Sequence, residues 1–353
     1  MGGMESHEEE RRKNSEKHEM DEVNVVGFIH KVLKLHEDFT AAEIHKVIGA
    51  IEVNGFEVPV GEENFAVALY PRGYLFQHDC VPNCEKFLNR ERSLYLKAVV
   101  DVPKGTPLSI SYTDQMWGTV NRQYHLMESK YFTCTCSRCS DPRELGTMFS
   151  AVRCNRCRKG YLLYHMGKNN DTPGKKWKCD GCDNEWSNEE MELFMEKIGE
   201  RLIRIPRGDV PGYEAFIEKQ NHVLHPNHFF IVEVTRAICE SDLNATGMDL
   251  HRREDHCRRL LSLANILCPG LTMARGIHSY QLEALLSAEA EEVKEEEKDK
   301  KLQLLLEATK MGEEAKRCLE NKHSNGPDVP IFHILQEDLK NLLHRISLHQ
   351  SSV

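Results

Sequence analysis

The chain has 353 residues, enough for roughly two or three domains with separate cores. Its 46 Lys and Arg against 56 Asp and Glu give a formal net charge of −10, which argues against a general binder of nucleic acid or anionic membranes. Residues 1–20 lack the apolar segment of a secretory signal, and no run approaches the ~18 apolar residues of a membrane span.

Met-Gly-Gly-Met-Glu-Ser fits a short myristoylation pattern, with Gly2 as acceptor and Ser6 at the hydroxyl position, but so brief a match carries little weight. Without a signal peptide, the 13 cysteines point to thiols kept reduced inside the cell, in cytoplasm or nucleus. Nine of them fall between Cys80 and Cys182 in tight groups, the pattern of metal ligands rather than disulfides. Cys239, Cys257, Cys268 and Cys318 sit at apolar positions and read as small core residues.

In chain order, residues 1–22 are charged and without aromatics, so a disordered polar terminus is expected. Val23 to Ala50 reads as helical, with apolar residues at Val25, Phe28, Ile29, Val32 and Leu33, then Ile44, Val47 and Ile48. Ile51 to Val58 has a strand–turn–strand look around Asn54-Gly55. Phe65–Tyr70 and Leu94–Val100 are short β-rich runs, and a turn at Pro103-Lys104-Gly105 feeds another strand. Residues 115–131 look helical and lead into the first cysteine cluster.

Cys134, Cys136 and Cys139 form a C-x-C-x-x-C group, which leaves one vacancy in a tetrahedral zinc site. The fourth ligand must come from elsewhere, and Cys84 is the candidate. Cys154-x-x-Cys157 and Cys179-x-x-Cys182, separated by 21 residues, make a zinc ribbon with Trp177 and Trp186 as its small core. Eight Lys or Arg and one acid, Asp171, lie between Arg153 and Lys178. They suggest either a surface for nucleic acid or an acidic partner, or cations that offset four thiolates, and the second reading is favoured.

Beyond Asn188 the chain is helical. Phe230, Val234, Ala237 and Ile238 make one stripe; Cys257, Leu260, Leu261, Ala264 and Leu267 make another, ending at Pro269-Gly270. Ile331, Leu335, Leu339, Leu342 and Ile346 form the last, so antiparallel helical hairpins are expected. The run at 289–301 reads as a solvated helical stretch or linker.

With these elements in order, the sequence resembles the SET/MYND family of protein-lysine methyltransferases, especially divergent insect-type members with an extra zinc ribbon. VNGFEV, ALYPRGYLFQHDCVPNC, GTPLSISYTD and KYFTCTCSRCSDPRELGT, over residues 50–147, carry the resemblance. It implies an α+β chain: a partial SET-type domain at 23–147 with a helical insert and a post-SET zinc cluster, a ribbon at 148–188, and a helical domain at 189–353. The domain is expected to be partial, since no glycine-containing strand and loop precedes Val23 and the MYND cluster is missing.

The resemblance also implies two structural zinc ions. Cys84 would join Cys134, Cys136 and Cys139 on one ion, leaving Cys80 as a buried thiol, while Cys154, Cys157, Cys179 and Cys182 hold the other. S-adenosylmethionine would be bound by Asn54, Gln77, His78, Tyr112 and Phe132, with Tyr112 orienting methyl transfer to a protein lysine. The implied partner is a protein, such as a histone tail or a transcription regulator; no membrane is implied, and nucleic acid only weakly through the ribbon.

The family pattern is not followed everywhere. Gln77 stands for its Asn, Asp79 for its Ser, and Lys130 where active relatives often carry a second channel tyrosine. Those changes keep open a second function class, a catalytically silent, zinc-stabilised interaction module.

Overall fold

The structure, a computed structural model, describes residues 3–61, 64–89, 91–167, 176–241, 249–320 and 329–351. Gly2 of the myristoylation pattern and Asp171 lie outside the described residues.

The expected disorder of residues 1–22 gives way to helices α1 (Glu8–Lys13) and α2 (Ser15–Asp21), followed by two π-helical turns at Glu22–Val26 and Phe28–Val32. Composition misleads here because the charges pair internally. Arg11, only 3% exposed, donates to Asp21, to Glu52 at 3.0 Å and to the carbonyl of His45 at 3.0 Å. A buried guanidinium with three oxygen partners anchors a segment that has few apolar side chains of its own.

Helix α3 (Ala41–Asn54) starts at a capping box, in which Thr40 and Glu43 satisfy each other's backbone amides. It runs through Ile51–Asn54, which the sequence reading assigned to a strand and turn, and ends at Gly55. The hairpin packs closely there: a Cβ on Gly55 would stand 2.3 Å from the Val67 side chain.

Six short strands follow: β1 (Phe56–Pro59), β2 (Phe65–Ala68), β3 (Gln77–His78), β4 (Cys84–Leu88), β5 (Leu94–Ala98) and β6 (Ser109–Ile110). The pairs β1–β2 and β4–β5 are antiparallel hairpins. β3 pairs in parallel with β6, Gln77 opposite Ser109 and His78 opposite Ile110, with the β4–β5 hairpin between them in the chain. The turn that feeds β6 closes with Thr106 N–H donating to the Pro103 carbonyl at 3.1 Å, as the Pro-Lys-Gly signal implied.

Helices α4 (Thr119–Lys130) and α5 (Ser137–Ser140) lead to a four-stranded sheet of β7 (Val152–Arg153), β8 (Tyr161–His165), β9 (Lys176–Cys179) and β10 (Glu185–Trp186), in the order β10-β9-β8-β7. The remaining helices are α6 (Asn188–Ile203), α7 (Val210–Gln220), α8 (Phe229–Glu240), α9 (Leu250–Leu267), α10 (Met273–Glu292), α11 (Lys298–Leu319) and α12 (Val329–Ser351). The stripes behave as their period predicts: Val234 and Ile238 of α8, Cys257 and Leu260 of α9, and Leu335 and Leu342 of α12 are all buried. Leu162 and Trp177 of the ribbon share one apolar core with Met191, Ile217 and Ile231 of the helices. The acidic run 289–301 ends one helix and starts the next, broken by extended Val293 and Lys294 and a 3-10 turn at Glu295–Glu297.

The helical region is fastened to the β4–β5 hairpin. Gly270, at φ +80°, brings its backbone so close that a Cβ there would overlap the Val99 carbonyl, which accepts the Leu271 N–H at 2.7 Å. The Met273 N–H, at the start of α10, donates to the Glu85 carboxylate at 3.1 and 3.2 Å. No helix among the described residues is long and apolar enough to cross a membrane.

Candidate metal centres and aromatic site

The chain turns sharply after β3. The Asp79 carboxylate accepts the Val81 N–H at 2.8 Å, an Asx turn that points Cys80 into the interior. From α4, Gln123 grips the loop after the helix with two bonds, donating to the Cys134 carbonyl at 2.7 Å and accepting the Cys134 N–H at 3.0 Å. The ligand atoms of Cys80, Cys134, Cys136 and Cys139 consequently lie within 4.8 Å of one another. Cys80 Sγ is 3.9 Å from that of Cys134 and 3.5 Å from that of Cys139.

This corrects the expected fourth ligand. Cys84, not Cys80, was assigned to the group; the structure makes Cys84 the first residue of β4, paired with Ala98 and outside the cluster. The Asx turn decides between the two thiols, and spacing alone could not.

Around this cluster lies a buried charge network that the sequence reading missed. Arg122 Nε donates to Cys80 Sγ at 3.2 Å, its Nη2 to Cys139 Sγ at 3.5 Å and its Nη1 to Glu144 at 3.0 Å. Arg138 also donates to Glu144 at 3.0 Å, and Ser150 donates to its other oxygen. Arg122, Arg138 and Glu144 are each 1% exposed or less. Burial works against both charged forms, but the two guanidiniums outweigh it and hold the Glu144 carboxyl below its usual range. Burial likewise lowers the pKa of Arg122, yet Glu144 and the thiols of Cys80 and Cys139 overcome it and raise the net value. No periodicity marks these residues; only the fold brings Arg122, Arg138 and Glu144 together.

The second group is local. The ligand atoms of Cys154, Cys157, Cys179 and Cys182 also lie within 4.8 Å, on the turns that join β7 to β8 and β9 to β10. Backbone amides of Gly160 and Gly181 donate to Cys157 and Cys179, each at 3.3 Å, and Asn184 donates to Cys154 at 3.4 Å. The two turns meet glycine to glycine: a Cβ on Gly160 would sit 2.7 Å from the Gly181 nitrogen. Tyr164 and Trp177 pack with ring centroids 5.5 Å apart, and Trp186 packs edge-on against Phe194. Several of the ribbon's cations are matched by acids: Arg156 with Asp183 at 2.8 Å, Lys176 and Lys178 with Glu185 at 3.1 Å. Both groups have the number and kind of ligand that hold a tetrahedral zinc ion.

Three of the expected cofactor residues converge beside Cys80. The ring centroids of His78 and Tyr112 are 5.2 Å apart, those of His78 and Phe132 5.9 Å, and those of Tyr112 and Phe132 6.5 Å, the last pair edge to face. The β3–β6 pairing places the first two, and the Tyr112 N–H donates to His78 Nδ1 at 3.0 Å. Tyr131, at φ +59°, ends α4 and turns the chain so that Phe132 returns to the interior. Tyr112 and Phe132 pack into one cluster with Leu126 and the cysteines of the first group, so aromatic site and cysteine centre form a continuous body. Burial pushes the Tyr112 phenol above its ordinary range, and its Oη donates to the Phe76 carbonyl.

Two expected residues stand elsewhere. Asn54 is the last residue of α3, its amide spent on the carbonyls of Glu5 and Ala50, each at 2.9 Å. Gln77 is exposed on β3. Lys130 is at the site itself: its Nζ lies 5.8 Å over the Tyr112 ring and donates to the Val53 carbonyl at 2.7 Å and the Glu52 carbonyl at 3.5 Å. It caps the free carbonyls at the C-terminus of α3, where a cation is favoured. Burial nonetheless lowers its pKa. The neighbouring Tyr131 does not supply a second phenol here: its Oη donates to Glu52 at 2.7 Å.

This arrangement of parallel β3–β6 pairing, clustered aromatics and adjoining thiols lies within or next to a recognised domain: residues 6–113 match the SET domain. The chain is 30% identical over 159 residues to "SET domain-containing protein SmydA-8, isoform A" of Drosophila melanogaster, a stretch covering 44% of this chain and 34% of that protein. It is 31% identical over 145 residues to "N-lysine methyltransferase SMYD2-B" of Danio rerio (40% and 32%), and 32% identical over 100 residues to "Histone-lysine N-methyltransferase SMYD3" of Homo sapiens (28% and 23%). Residues 6–113 thus carry a SET domain, and over about two fifths of its length the chain is similar to SET/MYND-type proteins. The matched stretch spans about a third of the first relatives' length.

Proposed function

We propose that this chain is an S-adenosylmethionine-dependent protein-lysine methyltransferase whose chemistry is centred on Tyr112. The observation that carries the reading is the convergence of Tyr112, His78 and Phe132 at the β3–β6 junction, the first two inside the SET match and Phe132 beyond its end. The faces of Tyr112 and Phe132 fit the adenine or the sulfonium of the methyl donor, since aromatic faces attract cations. The side chain of His78 fits less well as a hydrogen-bonding ligand: Nδ1 is taken by Tyr112, and Nε2 lies 3.3 Å from Cys80 Sγ. His78 is a positioning residue on this account, holding the Tyr112 backbone, while exposed Gln77 is free to meet a polar end of the ligand.

When bound, S-adenosylmethionine supplies an electrophilic methyl group. The protein's part is placement. Tyr112, kept neutral by burial, donates its own proton to the Phe76 carbonyl and so leaves its oxygen lone pairs for the incoming amine. Phe132 and Leu126 exclude water on the side of the cysteine centre. Eight ligand thiols, Cys80, Cys134, Cys136 and Cys139 with Cys154, Cys157, Cys179 and Cys182, would hold two structural zinc ions.

Lys130 favours a second reading, a zinc-stabilised interaction module without activity. A unit positive charge about 6 Å from another is repelled by about 3 kcal/mol at an effective dielectric near 20. Calorimetric titration of the zinc-loaded chain with S-adenosylmethionine separates the two. Micromolar binding that weakens in Phe132→Ala and tightens in Lys130→Tyr, with methyl transfer to lysine peptides, supports the enzyme. No binding by either the wild type or Lys130→Tyr leaves the silent module.

A further inference from the structure

Between the ribbon and the helices lies a cleft of about 440 Å3 that shares no lining residue with the Tyr112 site. Its walls are Trp177 of β9, Met191 and Met195 of α6, and Phe229 and Phe230 of α8. Its size is that of a ligand pocket, and methionine beside aromatic rings gives a surface that adapts to different apolar side chains.

One rim is acidic. Glu192, Glu196 and Glu200 follow one another at four-residue intervals on α6, so they line up about 6 Å apart on a single face. Glu200 has an exposed partner in Arg204 at 3.5 Å. Glu192 and Glu196 make no ion pair among the described residues.

Gly199 keeps the cleft open. A glycine inside a helix is destabilising relative to alanine, so its presence there asks for a local reason. A Cβ on Gly199 would lie 3.5 Å from the Phe230 ring, in ordinary contact, and any longer side chain would grow into the cavity.

We propose that this cleft is a docking groove for a cationic protein segment, which inserts one bulky apolar side chain between Met195 and Phe230 and lays flanking lysines or arginines along Glu192, Glu196 and Glu200. Alternate residues of an extended chain are about 6.6 Å apart, close to the spacing of the glutamates. Acidic segments and nucleic acid are repelled by the same row. The groove needs no methyl donor to bind, so it stands or falls separately from the methyltransferase reading.

The test uses the full zinc-loaded chain without S-adenosylmethionine, titrated with three labelled ten-residue peptides followed by anisotropy. The first alternates lysine around a central phenylalanine, the second replaces lysine by glutamate, and the third replaces phenylalanine by alanine. The first is expected to saturate and to shift Trp177 emission, with the other two at least tenfold weaker. Glu192→Gln with Glu196→Gln should weaken the first tenfold and flatten its salt dependence. Gly199→Leu should abolish binding at an unchanged melting temperature. If that variant does not fold, the exposed glutamate pair decides. No saturable binding by the first peptide, or equal binding by the acidic peptide or by the glutamate variants, overturns the groove.

Discussion

The two four-cysteine groups have the same donors and opposite surroundings. Four thiolates around one divalent ion carry an excess of two negative charges, and each site must answer it. The Cys80 group draws on ligands more than fifty residues apart in sequence and answers with the buried guanidinium of Arg122, itself balanced through Glu144. The ribbon draws its ligands from two turns and answers with the dipoles of backbone amides and Asn184. A site made by the whole fold can use full charges because the fold excludes water from them; a site made by two turns uses what the turns carry. The first is a keystone of the domain, and the second a nearly self-contained clip.

The sharpest way to break this contrast is Glu144→Gln. It leaves two buried arginines short of their shared carboxylate, and removing one partner of a buried pair costs about 3–5 kcal/mol. Urea unfolding at neutral pH should register that loss, whereas a charge change on the ribbon surface should not. The sign with pH follows. The Glu144 pKa is depressed in the fold, so its contribution is present above the unfolded carboxylate value and lost as pH falls through the folded one. The acid limb of the stability curve should therefore be flatter in Glu144→Gln than in the wild type.

Metal content comes next. The wild type should hold about two zinc ions per chain. Cys80→Ser should retain one, with the ribbon intact, and Cys84→Ser should retain both. Loss of an ion from Cys84→Ser alone would restore the pairing expected from the sequence. Third, Gly160→Ala should force the two ribbon turns apart at a cost of about 1–3 kcal/mol, typical of overpacking. Amide exchange should then rise in β8 and β9 while the amides of α4 stay protected. The smallest effect is expected from Asn184→Ala, which removes one donor to Cys154; metal affinity at the ribbon should fall by about tenfold, read by competition with a chelator.

Local chemistry was legible in the sequence. Two C-x-x-C turns, a C-x-C-x-x-C run and the apolar stripes of α8, α9 and α12 need only neighbours in the chain to be recognised. What could not be read depends on contacts across the fold. Cys80 and Cys84 are equivalent by spacing, and an Asx turn at Asp79 decides which one faces inward. Residues 51–54 have strand-like composition, but the helix capped at Thr40 carries through them until Gly55. Arg11 holds an otherwise disorder-like terminus by reaching Glu52. Lys130 was visible as a departure at the channel, while its service as a cap for α3 was not.

The bond from Met273 to Glu85 joins residues 188 apart and ties the base of a very long loop that contains the ribbon and helices α4–α9. The entropy of closing such a loop grows only with the logarithm of its length. Lengthening it by the Cys154–Cys182 segment therefore costs no more than a few tenths of a kcal/mol. A domain clasped at its base in this way can take up a metal-bearing insertion with little loop-closure penalty, provided that the newcomer has an apolar core to join. The ribbon meets that condition by sharing Leu162 and Trp177 with the helices beside it.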